Sequence, residues 1–101
     1  MARFTQQTKL IAKEGCAAAL LKKFIEAAQI QQANSACELM LAGISTSEPD
    51  AVYVFEVWSS EKEWEQARAS DAITKWSKGM PELVAEWPNS ITLDSIGGKG
   101  I

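Results

Sequence analysis

The chain contains no histidine among its 101 residues, and that single absence narrows its chemistry most. It excludes Ser-His-Asp and Cys-His nucleophilic catalysis, histidine general bases, two-His-one-carboxylate iron and nearly every common catalytic zinc site. Cysteine is scarce as well. Cys16 and Cys37 alone make neither a tetrahedral thiolate site nor a disulfide framework. No apolar run is long enough to span a bilayer, and the opening Met-Ala-Arg-Phe-Thr lacks the apolar region of a signal peptide. A formal net charge of −3, with Lys and Arg scattered, leaves no electrostatic footprint for nucleic acid. Only six glycines and three prolines, beside 47% hydrophobic residues, argue against disorder. The expectation is one soluble cytoplasmic domain spanning 1–101, with no metal site and no membrane or nucleic-acid partner. Its chemistry must rest on carboxylates, Lys or Arg, Tyr, amides, a thiol, or the substrate itself.

The apolar spacing orders the elements. Phe4 to Ala12 alternates loosely and predicts a strand, and Lys13-Glu14-Gly15 turns the chain. From Cys16 to about Gln31, Ala17, Leu20, Leu21, Phe24 and Ala28 recur at helical steps, with Lys22, Lys23, Glu26 and Gln29 opposite. Ala36 to Ile44 and Ala51 to Trp58 read as strands of a hairpin around the turn residues Thr46 to Asp50. Ser60 with Glu63 is a capping-box pattern, and Ser70 caps a second short helical piece. Gly79 and Pro81 end that piece, and Pro81 opens a turn through Leu83, Val84 and Trp87. Pro88-Asn89 breaks the chain before a last strand, Ser90 to Ile96. The core is expected over about 4–96, with Gly97 to Ile101 a mobile tail. The order β-α-β-β-α-β is the ferredoxin-like α+β arrangement, a four-stranded antiparallel sheet with helices on one face.

Such a sheet shows one apolar and one polar face when its second side meets water. The hairpin breaks that rule. Tyr53, Phe55 and Val57 point one way, with Val52, Val54, Glu56 and Trp58 the other; Leu39 and Leu41 oppose Met40 and Ala42. The helices cover one side, and a second copy of the chain is expected to cover the other. Hiding ~500 Å² of apolar surface per subunit represents ~12 kcal/mol before association costs. The alternative is a flatter sheet whose own loops and tail hide that side.

The run Tyr53-Val54-Phe55-Glu56-Val57-Trp58-Ser59-Ser60-Glu61-Lys62-Glu63-Trp64 resembles the strand-to-helix signature of antibiotic biosynthesis monooxygenase-type domains. The turn at Gly15 and the Ala-Ser-Asp of Ala69 to Asp71 match the same spacing, over about residues 5–96. The resemblance implies a dimeric α+β barrel. It also implies a pocket Trp at Trp58, with Trp64, Val54 and Lys78 where polyketide-oxidising members carry Tyr, Asn and Arg. The family's histidines fall on Ala67 and Ala72. The Trp and axial His of haem-degrading members fall on Ala67 and Ser77, which argues against haem degradation by that route.

Each candidate residue carries two readings. Trp58 and Trp64, with Val54, Phe24 and Trp76, frame a slot for a planar aromatic; the same residues also serve as plain core anchors. Glu56 points into an apolar layer, where desolvation suits it to act as a base; it equally fits a structural hydrogen-bonding role. Lys78 is placed to steady an oxyanion, or simply ends a solvated helix. Cys16, near a helix N-terminus, is a thiolate candidate or a small packing residue. Glu61, Glu63 and Glu65 form a solvated face at a helix start. The function expected from the resemblance is a homodimeric monooxygenase without metal, flavin or other cofactor. It would oxidise a quinol or anthrone-like aromatic with O₂, with Glu56 and Lys78 as the catalytic pair. The alternative is a catalytically silent dimeric module that binds a small apolar ligand.

Overall fold

The computed structural model describes residues 2–99. Strands β1 (Arg3–Ala12), β2 (Cys37–Ile44), β3 (Ala51–Trp58) and β4 (Val84–Ser95) form one sheet in the order β2-β3-β1-β4, and every neighbouring pair is antiparallel. Helices α1 (Ala17–Gln31), α2 (Glu61–Arg68), α3 (Asp71–Trp76) and α4 (Met80–Leu83) complete the chain. This is the ferredoxin-like α+β arrangement with helices on one face of an antiparallel sheet. The second helical region is broken into three short pieces.

The breaks have local causes. The Ser60 hydroxyl accepts from the Glu63 N–H and the Ser70 hydroxyl from the Ile73 N–H, so each serine opens a new helix. Gly79 has φ +91°, a left-handed conformation that side chains resist, and it sets the turn into α4.

Alternation along the strands sorts the sheet into two faces. Phe4, Gln6, Thr8 and Leu10 of β1 oppose Trp58, Glu56, Val54 and Val52 of β3 in register, all on the helix side. There Leu10, Ala12, Ala17, Leu20, Val52, Val54, Met80 and Val84 form the main buried cluster. Phe4, Trp58 and Ala67 form a second, smaller one. On the opposite face Leu39, Leu41, Phe55, Ile91 and Leu93 are exposed. The central strand β1 contributes Thr5, Gln7 and Lys9 to that face, so it is apolar along β2, β3 and β4 and polar along β1.

The last third of the chain differs from the sequence expectation. Pro81 does open a helical turn, but that turn stops at Leu83, and Val84 and Trp87 belong to β4 rather than to it. Pro88-Asn89 does not interrupt the strand. β4 is an edge strand, where a residue without an N–H is tolerated. The pairing register with β1 also shifts between Lys9 and Ile11, beside Pro88. Of the expected tail, Gly97 to Lys99 lack regular structure, and Gly100 and Ile101 lie outside the described residues. Lys23 leaves its expected solvated helix face: its Nζ donates to the Trp76 carbonyl, and the Trp76 indole N–H donates to the Lys23 carbonyl. This reciprocal pair ties α1 to α3.

Candidate active site

Between sheet and helices, where the two buried clusters meet, lies a cavity of about 440 Å³. That is the size of an ordinary small-molecule site. Its floor is the helix-side face of the strands, with Gln6, Thr8, Leu10, Met40, Glu56 and Trp58. Phe24, Ala27 and Gln31 descend from α1, Trp64, Ala67 and Arg68 from α2, and Ile73 and Trp76 from α3. Trp87, Pro88 and Ser90 of β4 form the far wall. All four tryptophans of the chain therefore border one space. Trp87 and Pro88 would face opposite sides of a regular strand. The register shift beside them lets both reach the cavity, as bulges do.

The aromatic walls are fixed by specific contacts. Trp64 packs against Phe4 with ring centroids 4.8 Å apart, and the Arg68 guanidinium sits 4.7 Å above the Trp64 ring. Trp64 and Arg68 are four residues apart on α2, one helical turn, which puts both on the cavity side. Phe24 meets Trp76 edge to face at 5.4 Å, and Lys23 Nζ lies 5.4 Å over the same indole. Trp58 is almost wholly buried at the end of β3.

Glu56 is the acidic group of this wall. It stands on β3 opposite Gln6 of β1 and Met40 of β2. Its Oε1 accepts the Trp58 indole N–H at 3.2 Å. Burial in the apolar layer pushes its pKa above the ordinary glutamate value; the Trp58 hydrogen bond and the Arg68 charge oppose that rise without cancelling it. The result is a carboxylate with raised proton affinity facing an aromatic-lined space.

Of the residues singled out from sequence, Phe24, Glu56, Trp58, Trp64 and Trp76 line the cavity. Val54 does not. Its inward direction is as expected, but it is 1% exposed and packed into the main core with Leu20, away from the open space. Lys78 is also absent from the wall. It lies exposed on the turn after α3, where its carbonyl accepts weakly from Lys23 at 3.5 Å. The cation at the cavity is Arg68 instead. Ala67 and Ser77 border the space, and Ala72 lies outside it. Cys16 precedes α1 without a side-chain cap. Cys37 flanks the smaller cluster, and burial, with a smaller contribution from the Glu56 charge, raises its thiol pKa. Among the described residues no three His, Cys, Asp or Glu side chains gather closely enough to hold a metal ion.

Comparison with known proteins places this architecture. The antibiotic biosynthesis monooxygenase family model matches residues 3–79, and the chain belongs to that family. Solved structures agree on the fold. A protein of Chloroflexus aurantiacus, described as a candidate antibiotic biosynthesis monooxygenase, superposes with a TM-score of 0.87 at 21% identity, over 98% of both chains. One so described from Caulobacter crescentus gives 0.87 at 21% identity, over 95% of this chain and 92% of its own. The protein SO0527 of Shewanella oneidensis gives 0.81 at 24% identity, over 91% and 89%. No curated protein matches the sequence.

Proposed function

We propose that this chain is a cofactor-independent monooxygenase acting on a small electron-rich aromatic, a phenol or enol such as a quinol or anthrone tautomer. The observation that carries the reading is the conjunction at β3: a carboxylate of raised proton affinity on the wall of a 440 Å³ cavity bordered by all four tryptophans. Membership in the monooxygenase family supports it.

The flat indoles hold the ring, and Glu56 accepts the hydroxyl proton. The resulting anion passes one electron to O₂, and the radical pair joins as a carbon–oxygen bond at a ring carbon bearing hydrogen. Glu56 returns its proton to the peroxide anion, then takes the proton of the C–H bond as the O–O bond breaks. The departing hydroxide leaves with that proton as water, and a new carbonyl remains. One oxygen atom ends in the product and the other in water. The substrate thus supplies all four electrons, and no external reductant enters the balance. The protein's share is positioning, proton transfer and exclusion of bulk water. Arg68, replacing Lys78 in that role, is the cation near the developing charge.

The exposed apolar face along β2, β3 and β4 supports the homodimer as the working form, a second copy covering Leu41, Phe55 and Leu93. Oxygen consumption with a panel of hydroquinones and anthrone tests the reading. Turnover above autoxidation that falls in E56Q supports it. Binding without any oxygen uptake above background leaves the silent ligand-binding module in its place.

A further inference from the structure

Gln6 is a buried amide on the cavity floor, only 7% exposed, in the middle of a row that runs across the sheet: Thr92 of β4, Gln6 of β1, Glu56 of β3. Its two ends are treated differently. The Thr92 hydroxyl donates to Gln6 Oε1 at 2.6 Å, which occupies the acceptor and fixes the amide plane. The Nε2 end, two N–H donors, has no partner among the described residues, although Gln6 borders the cavity. Glu56 shows the mirror case: Oε1 is taken by the Trp58 indole, and Oε2 has no donor among the described residues. Directly opposed on adjacent strands, the two side chains are natural partners for one another. Gln6 is instead tied outward to Thr92 of β4 and Glu56 along its own strand to Trp58, which leaves one free donor and one free acceptor on opposed residues of the cavity wall. Among the described residues no buried side-chain nitrogen or oxygen lacks a partner, so both atoms are open to the cavity, where a ligand can take them.

We infer that Gln6 and Glu56 grip one and the same ligand oxygen, with Thr92 as the positioning residue for Gln6. The ligand hydroxyl donates to Glu56 Oε2 and accepts from Gln6 Nε2. When the proton moves to Glu56, the oxygen becomes an anion and keeps the Gln6 bond, now charge-assisted and stronger. The O–H bond breaks, a Glu56 O–H bond forms, and no other group changes. This two-point grip selects a free phenol or enol over its methyl ether, which has no proton for Glu56. The inference rests on the proposed function and adds the group that discriminates the substrate and stabilises its anion.

The test uses 4-nitro-1-naphthol, whose anion absorbs in the visible, bound to the full chain and titrated with pH. Binding itself is read by quenching of the tryptophans. Wild type is expected to hold the naphthol with a lower pKa than Q6L, by about 1 to 2, the range of one hydrogen bond to a charged oxygen. T92V, which keeps Gln6 but frees its amide, moves the bound pKa the same way by less, and serves if Q6L fails to fold. A purely structural Gln6 would weaken neutral and anionic forms alike and leave that pKa in place. Tight binding with the same pKa in wild type, Q6L and T92V overturns the inference, while the proposed function stands if E56Q still slows oxygen uptake. No binding of the naphthol at all overturns both.

Discussion

Glu56 carries the account at the scale of single residues, and its energetics have a sign that can be checked. Burial raises its pKa in the folded chain above the unfolded value. Its contribution is therefore most favourable below the unfolded pKa and is lost as pH rises through the folded one. E56Q removes the charge and keeps the shape. We expect E56Q to be more stable than wild type at neutral pH by chemical denaturation, with the gap closing as pH falls through the raised carboxyl. Equal stability at all pH values would contradict the burial of a charged group there. The same variant should lose about 10²- to 10⁴-fold in turnover, the usual contribution of a positioned base. Much of this was legible beforehand: the alternation of Val52, Val54, Glu56 and Trp58 aims the carboxylate inward. The cation was not. Lys78 lies on a turn, whose direction no periodicity describes, while Arg68 is one helical turn after Trp64, a spacing that was there to be used. Gln6 was missed because a lone Gln in an alternating strand gives no sign of its burial until the sheet order is known.

At the scale of elements, short helices hold the cavity walls, so their caps matter beyond stability. The serine caps were readable because Ser-x-x-Glu and Ser-x-x-Ile satisfy orphan N–H groups by local geometry alone. Losing the Ser60 hydroxyl should cost about 1 kcal/mol in chemical denaturation. It should also loosen α2, which carries Trp64, Ala67 and Arg68. S60A is thus expected to weaken quenching by a bound naphthol, whereas S47A, in the β2–β3 turn remote from the cavity wall, leaves it unchanged. Strand β4 shows where local reading fails. Pro88 signals a break, yet edge pairing with β1 carries the strand through it, and the register shift brings Trp87 to the cavity. Long-range pairing overrides local punctuation there, and no window of sequence contains it. Ala67 provides the complementary test of the wall. It is buried with Phe4 and Trp58 and borders the cavity, so the larger side chain of A67L takes up space at the wall. That variant should fold at a cost of about 1 to 3 kcal/mol and lose naphthol binding; retained binding in the folded variant would place the ligand elsewhere.

For the whole molecule, the two faces of one sheet divide the work: the helix side carries the cavity, which is partly open to solvent, and the other side is left with exposed Leu41, Phe55, Ile91 and Leu93. The hairpin sequence already showed apolar residues on both parities. What it concealed was the polar central stripe of β1, because strand order β2-β3-β1-β4 is a property of the assembled sheet. A dimer closing over this face leaves Thr5, Gln7 and Lys9 at the seam. Sedimentation of the wild type should give twice the chain mass, and a charge at the exposed Leu41 (L41E) should shift it toward the monomer. A monomeric wild type at micromolar concentration would contradict the dimer.

The central claim is that a base in an aromatic cavity lets a bound phenol or enol reduce O₂ directly. It is tested most directly by incubating the purified chain with anthrone under ¹⁸O₂, in the presence of chelator and without added reductant. The account predicts accelerated anthraquinone formation, one labelled atom in the new carbonyl, one molecule of O₂ consumed per product, and a rate that collapses in E56Q. Product formed at the same rate with and without the protein would contradict it.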